Sequence, residues 1–151
     1  MSKQVSQTSF AEMSRVPATC MGLHIRRASR IVTQVYDSAL RPVGLGVNQF
    51  MLLVSIHLME SAPITRLAQE LFTDQTTLTR NLKLLEQRGL VSIALGDDRR
   101  VKLVSLTVEG YSVLAQAFPL WEQAQDKVKE HFGQQKWQTL LSLLSEVKTL
   151  S

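Results

Sequence analysis

The chain has 151 residues, 44% of them hydrophobic and 20% charged, with 7 Gly, 4 Pro and a single cysteine. This composition excludes a disordered, collagen-like or low-complexity chain, and the lone Cys20 excludes an internal disulfide framework or a cysteine-rich zinc cage. Seventeen Lys and Arg against thirteen Asp and Glu give a net charge of +4, carried mainly by residues 1–43, so net charge alone locates no nucleic-acid surface.

No apolar run approaches the roughly 20 residues that a bilayer crossing needs, and Met1 to Met13 lack the apolar core of a signal peptide. The expectation is a cytoplasmic protein with no membrane partner. Residues 1–19 read as a flexible N-terminal arm. Met21, Ile25, Ala28, Val32, Val35, Ala39 and Val43 then recur in steps of three and four, the mark of a helical stripe. Pro42 and Gly44-Leu45-Gly46 end it. From Val47 to Glu60 nearly every face is apolar, which predicts a buried helix.

Two short helices follow. The first is expected from about Pro63 to Leu71, with Pro63 in the first turn. The second runs from a Thr73 or Asp74 cap to Arg88, closed by Gly89. Val91, Ile93 and Leu95 alternate as a strand does, Gly96 to Arg100 forms a turn, and Val101 to Leu106 returns. Thr107 caps a long helix with a stripe of Tyr111, Leu114, Phe118, Trp121, Val128 and Phe132, in which Pro119 predicts a kink. Gly133 breaks it before a last helix carrying Trp137, Leu140, Leu141, Leu144 and Val147. The stripes at 21–43, 111–132 and 137–147 are too extended for one small lobe to cover, and predict two chains intertwined about a two-fold axis.

The helix over 74–88 carries the chemistry. Leu78, Leu82 and Leu85 share one face; at about 100° per residue, Thr76, Arg80, Lys83 and Gln87 point the other way. Two cations and two hydrogen-bonding side chains without an acid suit a major groove, where Arg and Lys reach phosphates or guanine and Thr and Gln read base edges. A plain solvated face has the same composition. The preceding short helix and the following hairpin favour the first reading: together they make a helix-turn-helix with Arg99 and Arg100 at a hairpin tip, where a minor groove attracts arginine. Asp98 is placed to orient a neighbouring arginine; the alternative for this tip is a solvated turn.

Ile64-Thr65-Arg66-Leu67-Ala68-Gln69-Glu70-Leu71, Asp74-Gln75-Thr76-Thr77-Leu78-Thr79-Arg80-Asn81 and Leu85-Glu86-Gln87-Arg88-Gly89-Leu90-Val91, with Asp98-Arg99-Arg100 and Leu106-Thr107-Val108-Glu109-Gly110, occur in the order and spacing of the MarR family of bacterial winged-helix regulators. The chain resembles that family over roughly residues 20–149. The resemblance implies a mainly α fold with a small β-hairpin wing: a winged helix-turn-helix and an obligate α-helical dimer. A dimerisation helix would span 20–46, a DNA-binding lobe 47–106 and C-terminal dimerisation helices 107–151. It implies a homodimeric regulator on double-stranded DNA with a palindromic operator, a repressor relieved by a small molecule or oxidation. The DNA-binding candidates are Thr76, Thr77, Thr79, Arg80, Lys83, Gln87, Asp98, Arg99 and Arg100. One departure stands out: where the family places a charged residue and an arginine after Gly-Leu-Val, this chain has Ser92-Ile93-Ala94-Leu95.

Cys20 is a redox candidate, since helix N-termini and nearby cations such as Arg26 and Arg27 lower a thiol pKa; an inert, partly buried thiol is the plainer alternative. His24, His57 and His131 show no metal-ligand spacing, and no metal or cofactor is expected. Met21, Met51, Met59, Phe118 and Trp121 are candidates to line a pocket for a small aromatic or phenolic effector, or else are plain core. No catalytic triad, phosphate loop or carboxylate pair is present, so no enzyme is expected. A cytosolic redox or metal sensor built on Cys20, or a winged-helix protein-interaction module, are the other readings.

Overall fold

A computed structural model describes residues 7–150, with side chains from Phe10 onward, and divides into two compact units between Val35 and Tyr36. The first unit holds α1 (Gln7–Met13), α2 (Val16–Thr19) and most of α3 (Met21–Leu40). The part of the expected arm that is described, residues 7–19, is therefore largely helical; residues 1–6 lie outside the described residues. Pro17 sits in the first turn of α2, where a helix has N–H groups to spare.

The second unit runs from the end of α3 through a 3₁₀ turn (Arg41–Val43), α4 (Val47–Met59), β1 (Ala62–Pro63), α5 (Ile64–Glu70), α6 (Gln75–Gln87), β2 (Val91–Leu95), β3 (Lys102–Leu106), α7 (Val108–Phe132), α8 (Gln134–Glu146) and a closing 3₁₀ turn (Val147–Leu150). Its core is one cluster in which Leu40, Leu53, Ile56, Leu67, Leu85 and Val104 are fully buried. α4 supplies Phe50, Leu52, Leu53 and Ile56 to that cluster, which explains its nearly uniform apolar sequence. Gly46 has no side chain to cap α4, so the Asp37 carboxylate accepts from the Val47 amide at 2.7 Å instead.

The three strands are antiparallel in the order β1-β3-β2. β1 is not visible in the sequence: it is two residues long, and only its pairing with β3 (Ala62↔Val104, Pro63↔Leu103) defines it. That pairing corrects the expected helix start, because Pro63 takes an extended ψ of 134° and α5 begins at Ile64. Val101 likewise belongs to the turn, where its amide donates to the Asp98 carbonyl, rather than to the return strand.

Thr107 caps α7, its hydroxyl accepting from the Gly110 amide at 3.0 Å and donating to the Gly89 carbonyl at 2.6 Å. α7 continues through Pro119. Half-buried Tyr36 donates a hydrogen bond to the Gln125 side chain of α7, and burial raises its pKa. α8 packs chiefly on the end of α7 and leaves Leu141, Leu143 and Leu144 exposed. Among the described residues no single helix is long and apolar enough to cross a membrane.

Candidate nucleic-acid interface

α6 is held by its cap. The Asp74 carboxylate accepts from the Thr77 amide at 2.8 Å and from the Thr77 hydroxyl at 2.7 Å; these bonds, the hydroxyl's first, keep its pKa below the ordinary value. The other end closes on Gly89 at a φ of 71°, with the Leu90 amide donating back to the Leu85 carbonyl. Leu78, Leu82 and Leu85 anchor the inner face in the core. Gln75, Thr76, Thr79, Arg80 and Lys83 line one shallow outer depression.

This arrangement sorts the candidates. Thr76, Thr79, Arg80 and Lys83 share the exposed surface. Thr77 is exposed too, but its hydroxyl is engaged by the Asp74 cap. Gln87 closes the helix, exposed and outside the depression. Gln75 lines the surface and is not among the sequence candidates, because the first residue of a helix carries no periodic signal.

At the hairpin tip, the Asp98 carboxylate accepts from the Arg100 amide at 3.1 Å and from Arg100 Nε at 3.4 Å, in the one ion pair among the described residues apart from any that Lys148 makes. Arg99 is exposed beside it. Arg100 also lines a depression with Gln75 and Thr79, which brings the tip of the hairpin and the start of α6 to one surface. Lys102 lines that depression as well, and a neighbouring groove with Thr79 and Lys83.

Arg88, adjacent to this surface in sequence, has another task. Its guanidinium donates to the carbonyls of Gly44 at 2.7 Å and Val43 at 3.3 Å, tying the end of α6 to the turn that follows α3.

An open cavity of about 630 Å³ lies between α4 and α7, lined by aromatic residues that include Phe50, Tyr111, Phe118 and Trp121, with His57 edge-on to Tyr111. Phe118 and Trp121 are the two sequence candidates that meet at this pocket. Met51 instead lines a separate cavity of about 200 Å³ with Leu52, Phe72 and Thr77, and Met59 packs on the core. Met21 lies in the first unit.

Cys20 is partly exposed at the end of α2, its carbonyl accepting from the His24 amide at 3.1 Å. Among the described residues no three His, Cys, Asp or Glu side chains converge on one point.

A sequence profile described as the MarR family matches residues 45–102. The transcriptional regulator MOSR of M. tuberculosis, solved in complex with DNA, is 36% identical, with a TM-score of 0.80, over 87% of this chain and 95% of that one. A transcriptional repressor, CouR, bound to a 23-mer DNA duplex, is 27% identical with a TM-score of 0.81, over 90% of this chain and 96% of that one. The organic hydroperoxide resistance transcriptional regulator of Bacillus subtilis is 31% identical over 84 residues, 55% of this chain and 57% of its own length. The alignments with three such curated relatives span 55% to 62% of those proteins.

Proposed function

Because this chain belongs to the MarR family, we propose that it is a cytoplasmic, homodimeric, sequence-specific DNA-binding transcription regulator, a repressor released by a small molecule or by oxidation. The observation that carries this reading is one continuous surface on which Arg80 and Lys83 of α6, free of ion pairs among the described residues, meet Arg100 of the wing through Thr79. α6 reads base edges in a major groove, and the wing arginines lie along the adjacent minor groove. Asp98 holds Arg100 in place, leaving most of its guanidinium donors for the nucleic acid. The DNA complexes of MOSR and CouR support the partner, and the repressor name of CouR supports the sign of regulation.

Dimerisation rests on the apolar faces that each unit leaves open. Met21 and Ile31 in the first unit and Leu141, Leu143 and Leu144 in the second are exposed in the single chain. An exposed apolar surface of this extent marks an interface, and symmetric pairing of two copies is the usual way to cover it.

The aromatic cavity between α4 and α7 supports a small aromatic or phenolic effector, since its volume is in the range that takes a drug-sized ligand. Such a molecule releases DNA only by binding the released state more tightly than the DNA-competent one. The name of the Bacillus subtilis relative and the partial exposure of Cys20 support oxidation as the second trigger. Operator binding by wild type and Cys20→Ser, each with and without organic peroxide, separates the two. Release in wild type alone assigns the trigger to Cys20; identical responses leave the cavity as the switch.

The test of the main reading is fluorescence anisotropy with a duplex that the protein enriches from a randomised library. Arg80→Ala with Lys83→Ala is expected to weaken binding with folding intact. Unchanged affinity in that variant removes α6 as the reading helix. A folded wild-type protein that binds no duplex in a salt-dependent way leaves a protein-interaction module.

A further inference from the structure

The departure in the wing has a counterpart on the opposite strand. Ser92 to Leu95 carry no cation, but the register pairs Leu95 with Lys102, Ile93 with Val104 and Val91 with Leu106. Side chains alternate along a strand, so these six share one face of the hairpin. Val91 and Val104 of that face are buried in the core, with Ile93 and Leu106 packed against it. Lys102 and Leu95 are the pair nearest the turn. They overhang the core on that same face, into the groove of about 380 Å³ between the hairpin and α6.

That groove also holds Thr79, Lys83 and Glu86. Among the described residues neither Lys83 nor Lys102 is in an ion pair with Glu86 or with any other carboxylate. Two lysines that make no ion pair among the described residues therefore line one channel, one from each wall, with Glu86 beside Lys83 on the α6 side. A major groove and its adjacent minor groove are separated by a single sugar-phosphate strand. If α6 enters one and the hairpin tip lies along the other, that strand passes through the channel between them.

We propose that Lys102 binds a backbone phosphate in this channel, with Lys83 on the opposite wall, and so replaces from β3 the cation that β2 lacks. The proposal rests on the DNA-binding reading above and adds a residue to it. Lys102 is a strongly hydrated point charge on a flexible stem, suited to a phosphate rather than to a base edge. Its contribution is sequence-independent.

The test uses the full chain and two duplexes: the one enriched from a randomised library, and the same bases scrambled. Dissociation constants are measured across a salt series for wild type, Lys102→Gln and Lys102→Arg. Lys102→Gln is expected to weaken both duplexes by a common factor and to reduce the steepness of log K against log salt by about 0.9 for each phosphate that is no longer neutralised. Lys102→Arg is expected to restore the wild-type slope. Wild-type slope and affinity in Lys102→Gln, while Arg80→Ala still weakens binding, overturn the proposal and leave the DNA reading standing. A changed ratio between the two duplexes in Lys102→Gln also overturns it, because the side chain then reads a base. A wild type that binds neither duplex overturns both.

Discussion

A Cβ placed on Gly110, in the first turn of α7, falls 2.0 Å from the carbonyl oxygen of Leu90. The start of α7 lies that close to the chain leaving α6, and the Thr107 hydroxyl bridges the same junction by donating to Gly89. α6, the hairpin and the long helix thus meet through backbone atoms, which yield less than side chains do.

Gly110→Ala is therefore expected to force the junction apart and to cost about 3 kcal/mol or more, beyond ordinary overpacking, because the clash is with backbone. Gly89→Ala meets nothing within 4 Å and suffers only from its positive φ of 71°, so about 1 kcal/mol is expected. Urea denaturation of the two variants gives the comparison, and equal losses would contradict this account of the junction.

Arg88→Ala removes the bonds to the Gly44 and Val43 carbonyls. The side chain is exposed, so a loss of about 1 kcal/mol is expected. Its guanidinium is turned to the turn after α3, and the slope of DNA affinity against salt should stay as in wild type. A reduced slope would place Arg88 on the nucleic acid instead.

How far the sequence discloses this surface depends on where each signal resides. The Asp74 cap, the three-leucine inner face and the Gly89 stop of α6 are local, and periodicity exposes them directly. The hairpin turn is local as well. β1 carries no local signal, since two residues cannot show a period and its identity lies in β3, some forty positions away. Lys102 is hidden for the same reason: its side of the hairpin follows from register with β2 and its neighbours from the packing of α6. The short helices over 7–19 lack the long apolar stripe on which the reading of α3 rests, and only Pro17 in a first turn hints at them.

Asp74 links stability to pH. Hydrogen bonds from the Thr77 hydroxyl and amide lower its pKa from the ordinary 3.8. The folded state then binds the proton less well than the unfolded chain. The contribution of the cap is complete above about pH 5 and fades as pH falls through the depressed value. The stability gap between wild type and Asp74→Ala should be constant from about pH 5 to 7 and close in more acid solution. A gap that widens on acidification would contradict the cap.

The exposed leucines of α8 predict the assembly state. Leu141→Glu with Leu144→Glu should convert a dimer in sedimentation to monomer or aggregate and abolish operator binding, because each half-site alone is held weakly. Removal of everything after Gly133 should aggregate or unfold the chain. A folded, monomeric, DNA-binding truncation would show that these side chains are not the interface.

A two-fold pair of α6 helices reading DNA is the central element of the proposed function. Its most direct test is selection by the 151-residue chain from a randomised duplex library, followed by sequencing of the bound pool. The predicted result is an inverted repeat whose half-sites are centred about one helical turn, roughly 34 Å, apart, lost from the pool when Arg80→Ala replaces wild type. A pool that stays random with folded wild-type protein, or an enriched site without two-fold symmetry, would contradict it.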